Sequence, residues 1–286
     1  MRVARAAHRR GDVDLTRAVA VVVADGRVLA EPGGVTLLAS EEWADEHVVC
    51  YLGLDGDRDV VAVSAAALSD REAPLEPLRA LLGRLAADDR GVRDRELATT
   101  AVAMAHWHDA HARCPRCGTP TDIAPGGWHR RCPQCERDHY PRTDPAVIVA
   151  ITDLRDRLLM AHASYWSAGR YSHLAGYVEP GESLEQAVHR EVAEESGLAL
   201  TSLAYVGSQP WPFPASMMVG YTATAVDPDF ALDFDEISDA RWVTRDELVS
   251  AIEDGSMIIA PRGSIARRML EQWHGDPETL ARVQGD

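Results

Sequence analysis

The chain has 286 residues, 45 acids against 29 basic residues, and a formal net charge of −16 at pH 7. So acidic a surface argues against general nucleic-acid or anionic-membrane binding, and a site for an anionic substrate would have to hold cations. Apolar residues make up 46%, ordinary for a globular protein, and no run of about 18 apolar residues reads as a membrane span.

Near the N-terminus, Arg2, Arg5, Arg9 and Arg10 precede the apolar run AVAVVVA (18–24), a loose likeness of a signal peptide. Asp12 and Asp14 intervene, and the run enters DGR, a turn signal. It reads as a strand, and the chain as cytoplasmic. Short apolar runs alternate with turns through VTLLAS, HVVCYLGL and DVVAVSAA, then give way to helix over LEPLRALLGRL and RELATTAVAMAHWHDAH. Cys50 lies inside one of the apolar runs and reads as core. Residues 1–105 are expected to form an α/β domain with a structural role, including homodimer formation.

Residues 106–143 are rich in Cys, Pro, Gly and Arg. Cys114-x2-Cys117 and Cys132-x2-Cys135 stand 14 residues apart, a zinc-ribbon spacing in which two turns bring four thiolates onto one ion. Four ligands close the tetrahedron, so the expected zinc is structural. His111 or His129 could replace one of the cysteines. Residues 101–145 balance at +1 and residues 146–286 at −12. Arg113, Arg116, Arg130, Arg131, Arg137 and Arg142 gather in this segment, the route along which a polyanionic chain is expected to leave.

Residues 144–286 mix strands (AVIVAI, RLLMAHA, LAGYV, MMVGYTATAV, ARWV) with helical stretches near 183–196 and 261–274, an α/β or α+β pattern. Ser183 and Gln186 form a capping box and Gly197 a stop, which predicts a helix over 183–196. Leu184, Ala187 and Val188 mark its inward face. Glu191, Glu194 and Glu195 fall within an arc of about 100° on that same side. Carboxylates aimed inward need compensation, and hard divalent cations such as Mg²⁺ or Mn²⁺ supply it. Arg190 borders the arc as a weaker counter-charge.

The pattern Gly176-x5-Glu182-x7-Arg190-Glu191-Val192-x-Glu194-Glu195-x-Gly197-Leu198 resembles the Nudix box at every fixed position. That resemblance implies a metal-dependent hydrolase of nucleoside diphosphates linked to a second moiety, on an α/β/α sandwich. It implies that Glu191 and Glu195 hold the metals with the Ala175 carbonyl and Glu236, and that Glu194, Glu182 and Arg190 stand close by. Which acid takes the proton from water varies across the superfamily; Glu195 is the choice here.

Further on stands SQPWPFPAS (208–216), with three prolines and two aromatics. By composition it reads as a rigid exposed loop, poor as either helix or strand. It resembles the signature of the NADH pyrophosphatase branch of the Nudix hydrolases. That branch also carries a four-cysteine ribbon before the Nudix domain and the lead-in seen here as Tyr140-Pro141-Arg142-Thr143-Asp144-Pro145. The close resemblance covers about 110–270; the N-terminal part is divergent. It implies a dinucleotide site lined by Gln209, Pro210, Trp211, Pro212, Phe213, Pro214, Ala215 and Ser216, with Met218 and the Ala266 backbone nearby. Tyr177 and Tyr140 would offer rings to the nicotinamide, with Tyr140 reaching across a dimer.

The implied activity is hydrolysis of NADH or NAD⁺ to AMP and the nicotinamide mononucleotide, together with removal of NAD caps from RNA 5′ ends. The alternatives are an ADP-ribose pyrophosphatase, against which the 208–216 loop weighs, and a non-catalytic nucleotide sensor, against which the complete box weighs. A nucleic-acid-binding ribbon module is weaker still.

Overall fold

A computed structural model describes residues 2–68 and 73–285. The chain divides into two compact units, residues 1–143 with 211–215, and residues 144–210 with 216–286.

In the first unit the strands run in the order Val3–Ala4, Val48–Asp55, Arg58–Ser64, Val19–Ala24, Arg27–Glu31 and Gly34–Val35. Leu37–Leu38 adds to Val19–Ala24, and Leu75–Pro77 to Arg27–Glu31. The apolar run at 18–24 is thus the strand its composition predicts. It turns at Asp25 and Gly26, both at positive φ, into its antiparallel neighbour. The run is continuous in apolar residues because both of its faces are covered. Val21 and Val23 join the cluster built with helices α1 (Leu78–Arg84) and α2 (Asp89–Ala110). Ala20 and Val22 join the opposite cluster with Tyr51 and Leu68. Cys50 is fully buried, and burial pushes its thiol up to about 12, as suits a core residue.

The ribbon segment follows as three short strands in the order Asp138–His139, Arg130–Arg131, Asp122–Ile123.

The second unit is a sheet between two helical layers. Its strand order is Leu200–Trp211, Ser216–Ala225, Asp144–Thr152, Leu158–Ala163, Ile237–Val243, with Leu174–Tyr177 paired antiparallel to Asp144–Thr152. The central strand, Asp144–Thr152, runs parallel to Ser216–Ala225 along its whole length. Its side chains alternate: Val147, Val149 and Ile151 pack toward α3 (Leu184–Ser196). Ile148 and Ala150 pack toward α4 (Arg245–Glu253), α5 (Ile265–His274) and α6 (Pro277–Gln284). Two of these helices, α4 and α6, lie outside the two stretches the sequence reading named. The predicted 261–274 helix starts later, at Ile265, where the Ser264 hydroxyl accepts from the Arg267 amide.

Candidate active site and metal centres

In the ribbon, each Cys-x2-Cys turn uses the same backbone device. Gly118 N–H donates to the Cys114 carbonyl and Glu136 N–H to the Cys132 carbonyl, at 2.9 and 3.0 Å. Both donors sit at positive φ, +75° and +54°. Cys114 N–H and Cys132 N–H donate in turn to Thr119 and Arg137 carbonyls. The two turns point their sulfurs together: the four Sγ atoms lie within 4.8 Å of one another. That donor set and spacing fit one tetrahedral zinc. Neither histidine joins it. His111 bonds the Trp107 carbonyl through Nδ1, and the His129 ring stacks on Tyr140 at 5.7 Å.

Arg130 departs from the expected RNA path. It is buried, and its guanidinium donates to the Thr121 hydroxyl, the Thr121 carbonyl and His108 Nδ1 at 2.7, 2.7 and 3.1 Å. A buried guanidinium so engaged is not free to reach out to a phosphate. Arg131 is exposed but paired with Asp138.

The carboxylate site is built on α3 and the strand beside it. The capping box forms as expected, with Ser183 N–H donating to Gln186 Oε1 and Gln186 N–H to Ser183 Oγ, and Gly197 closes the helix at φ +69°. Ala187, Val188 and Val192 are buried and fix which face turns inward. Glu195 lies on that face at 6% exposure, Glu191 is half-buried, and Glu194 is exposed. The inward arc therefore holds for the first two acids, while Glu194 sits at its rim.

Arg190 organises the rim. It donates twice to Glu182 (2.8 and 2.9 Å), once to Glu194 (3.0 Å) and once to the Tyr177 carbonyl (2.9 Å), and pairs with Glu191 at 3.0 Å. These bonds tie the loop after Tyr177 to the helix. The Arg190 bonds hold Glu182 below the usual carboxylate range. Glu191 lies against Gly176: a Cβ there would stand 1.9 Å from the Glu191 carboxyl carbon. The first glycine of the box is thus a volume requirement of the second acid.

Glu195 has no such partners. Its Oε2 is buried and accepts no hydrogen bond among the described residues. Burial first, then the charges of Glu191, Glu236 and Glu194, push its carboxyl up to about 8. Burial likewise raises Glu191, against the pull of Arg190. Four acids thus share a field that a cation would relieve, with an oxygen of Glu195 left to bind one. The donors are all oxygens, the chemistry of a hard divalent ion. Ala175, in the strand Leu174–Tyr177, is exposed, as is Glu236.

Of the aromatic residues, Tyr177 is exposed and its hydroxyl meets Ser216 Oγ at 3.0 Å. Tyr140 is 67% exposed. The stretch 208–216 is only in part the rigid exposed loop its composition predicts. Ser208 to Trp211 complete an edge strand. Pro210 is accommodated there because an edge strand has unpaired backbone to spare. Pro212 is buried, and Trp211 and Phe213 pack half-buried on the first unit's helical core, beneath Arg79 at 5.2 and 4.9 Å. Residues 211–215, including Pro214 and Ala215, accordingly group with the first unit and Gln209, Pro210 and Ser216 with the second.

Gln209 spends its amide on the turn before α5, donating to the Gly263 carbonyl and accepting from Ile265 N–H, both at 2.6 Å. Met218 and Ala266 pack on one cluster. His173, which the sequence reading passed over, meets the Ala266 carbonyl through Nε2 at 3.2 Å. The available signal was a histidine inside the otherwise apolar lead-in to the box.

Residues 142–261 match the NUDIX domain family and residues 109–140 the NADH pyrophosphatase zinc ribbon domain. The chain is 40% identical over 264 residues to NAD-capped RNA hydrolase NudC of Mycobacterium bovis, covering 86% of this chain and 82% of that protein. The Mycobacterium tuberculosis protein of the same name matches at the same identity and coverage. Human NAD-capped RNA hydrolase NUDT12 is 32% identical over 261 residues, 87% of this chain and 51% of that longer protein. Four thiolates in a ribbon, a complete acid helix and relatives aligned over most of the chain agree: it belongs to the NADH pyrophosphatase branch of the Nudix hydrolases.

Proposed function

We propose that this chain hydrolyses the diphosphate of NADH and NAD⁺ to AMP and the nicotinamide mononucleotide, and removes NAD caps from RNA 5′ ends. The observation that carries the chemistry is the unpartnered, buried oxygen of Glu195 beside Glu191 and within the field of Glu236. The relatives' names carry the substrate.

Glu191, Glu195, Glu236 and the Ala175 carbonyl would hold Mg²⁺ or Mn²⁺, which supplies charge neutralisation at the diphosphate and a positioned water. Glu195 would accept the proton of the attacking water. Arg190 holds Glu182 and Glu194 in place and keeps Glu191 facing the site. Tyr177, its hydroxyl tied to Ser216, presents a ring for the nicotinamide. The resemblance is what adds Tyr140, from a homodimer partner, and the stretch 209–216 to the residues proposed for dinucleotide binding. The four cysteines hold structural Zn²⁺.

Among the described residues no helix is long and apolar enough to cross a membrane, and we place the protein in the cytoplasm. Parallel turnover of NADH, NAD⁺, ADP-ribose and NAD-capped RNA by the purified protein, with Mg²⁺ and with Mn²⁺, tests the reading. Faster cleavage of ADP-ribose than of every nicotinamide substrate overturns the specificity. Binding without cleavage of any of them overturns catalysis. Size measurement in solution tests the dimer.

A further inference from the structure

Helix α5 begins on a turn that is held more firmly than a helix start requires. Ser264 alone caps it: its hydroxyl accepts from Arg267 N–H at 3.1 Å and donates to the Pro261 carbonyl at 2.8 Å. That satisfies the ordinary need of an N-terminus. Three more backbone groups of the same turn are nevertheless taken by side chains from distant parts of the second unit. Gln209 takes the Gly263 carbonyl and the Ile265 amide. His173 takes the Ala266 carbonyl from 93 residues away in sequence.

The His173 ring is an expensive way to make one bond. It is 4% exposed, and its Nδ1 has no hydrogen-bond partner among the described residues. A buried polar atom without a partner costs stability that an aliphatic side chain would not. What the ring provides is a rigid link. His173 directly precedes the strand Leu174–Tyr177, which carries Gly176 against Glu191 and Tyr177 against Ser216. Gln209 opens the proline-rich stretch. The turn at 263–266 is therefore fixed to the strand beside the acids and to the segment that leads into Trp211.

We propose that His173 is a positioning residue for dinucleotide binding: through its bond to the Ala266 carbonyl it holds the first turn of α5 at a set distance from Glu191 and Tyr177. This rests on the reading that the site binds a nicotinamide dinucleotide. A turn ordered before the substrate arrives need not be ordered by it, so its loosening weakens binding without changing the chemical step.

The test compares His173→Leu, which removes the donor at similar volume, with His173→Gln, whose amide reaches the place of Nε2. His173→Leu is expected to raise KM for NADH about fivefold, the size of one lost hydrogen bond, with kcat within about twofold. His173→Gln restores KM. Deuterium exchange of the 263–268 amides in the unliganded enzyme should quicken in the leucine variant and not in the glutamine variant. His173→Met carries the same test should the leucine variant not fold. Equal KM in all variants, equal KM rises in Leu and Gln, or a fall in kcat with KM unchanged overturns the proposal. Wild-type cleavage of ADP-ribose but not NADH overturns the substrate reading alone, and the KM comparison then runs on ADP-ribose. If the wild type cleaves neither, the comparison runs on the Kd of ADP-ribose.

Discussion

Replacing Glu195 by glutamine is expected to stabilise the metal-free protein while destroying its activity. Glu195 is 6% exposed, and burial with three neighbouring acids lifts its carboxyl to about 8. Unfolded, the same group titrates near 4.3. A folded-state value above the unfolded one means that the native state binds the proton more tightly. The associated stability is present in full below about pH 4 and is lost as pH climbs toward 8. The full loss corresponds to roughly 3–5 kcal/mol. Glutamine keeps the shape and cannot ionise. At about pH 9 without divalent metal, Glu195→Gln should therefore melt roughly 6–20 °C above wild type, at 2–4 °C per kcal/mol for a unit of this size. At about pH 4 the two should coincide. Saturating Mg²⁺ should raise the wild type at high pH and leave the variant nearly unmoved, since the cation replaces the proton in offsetting the carboxylates. Calorimetric scans of both proteins across pH, with and without Mg²⁺, read all of this, and kcat for NADH should fall by about 100-fold or more. A variant no more stable than wild type at high pH without metal refutes the argument. So does an equal Mg²⁺ gain in the two proteins.

Four further outcomes follow from particular contacts. Gly176→Ala places a methyl where the Glu191 carboxylate lies, so Mg²⁺ affinity should fall at least tenfold with the fold retained; isothermal titration reads it, and unchanged affinity removes Glu191 from the site. One zinc per chain should survive chelation of the catalytic metals, and Cys117→Ser should lower the melting temperature more than kcat; an absence of zinc by elemental analysis ends that reading. Tyr177→Ala should weaken nicotinamide dinucleotides by roughly 1–3 kcal/mol, and an unchanged kcat/KM for NADH excludes its ring from the pocket. With Arg130 buried and Arg131 paired, NAD-capped RNA should show a shallow salt dependence that does not grow with length and a preference for unpaired 5′ ends; steep dependence would place the RNA elsewhere.

What the sequence made legible were features with local rules. The capping box at Ser183, the glycine stop at Gly197 and the paired cysteines each depend on a few neighbouring residues, and each stands where its spacing put it. The inward arc of α3 was legible because a 3.6-residue period fixes the angle of every side chain. The period alone could not separate Glu195, fully covered, from Glu194 at the rim, because that depends on which strands lie alongside. Helix α4 carried its own signal, Thr244 with Glu247 as a capping box, and α6 began with Asp276-Pro277. Both are short and fall outside the two helical stretches the hydrophobic pattern marked. The exposure of 208–216 was misjudged for a different reason. Proline and tryptophan content describes stiffness, whereas burial of Trp211 and Phe213 depends on residues more than a hundred positions earlier. His173 and Arg130 illustrate the same limit, since their bonds to Ala266 and His108 span long sequence distances.

The grouping of residues 211–215 with the first unit bears on how the chain acquires its structure during synthesis. The core around α1 and α2 lacks Trp211 and Phe213 until about seventy residues beyond Thr143 have been made. The N-terminal unit can therefore collapse early, but it cannot bury its last two aromatic rings before much of the second unit has emerged. A gene cut between positions 143 and 144 would separate the two rings from the cluster that covers them. The fragment that kept them would carry apolar surface of the kind that drives aggregation. Co-expression of the two halves, rather than either half alone, is the form in which a split version of this enzyme should remain in solution.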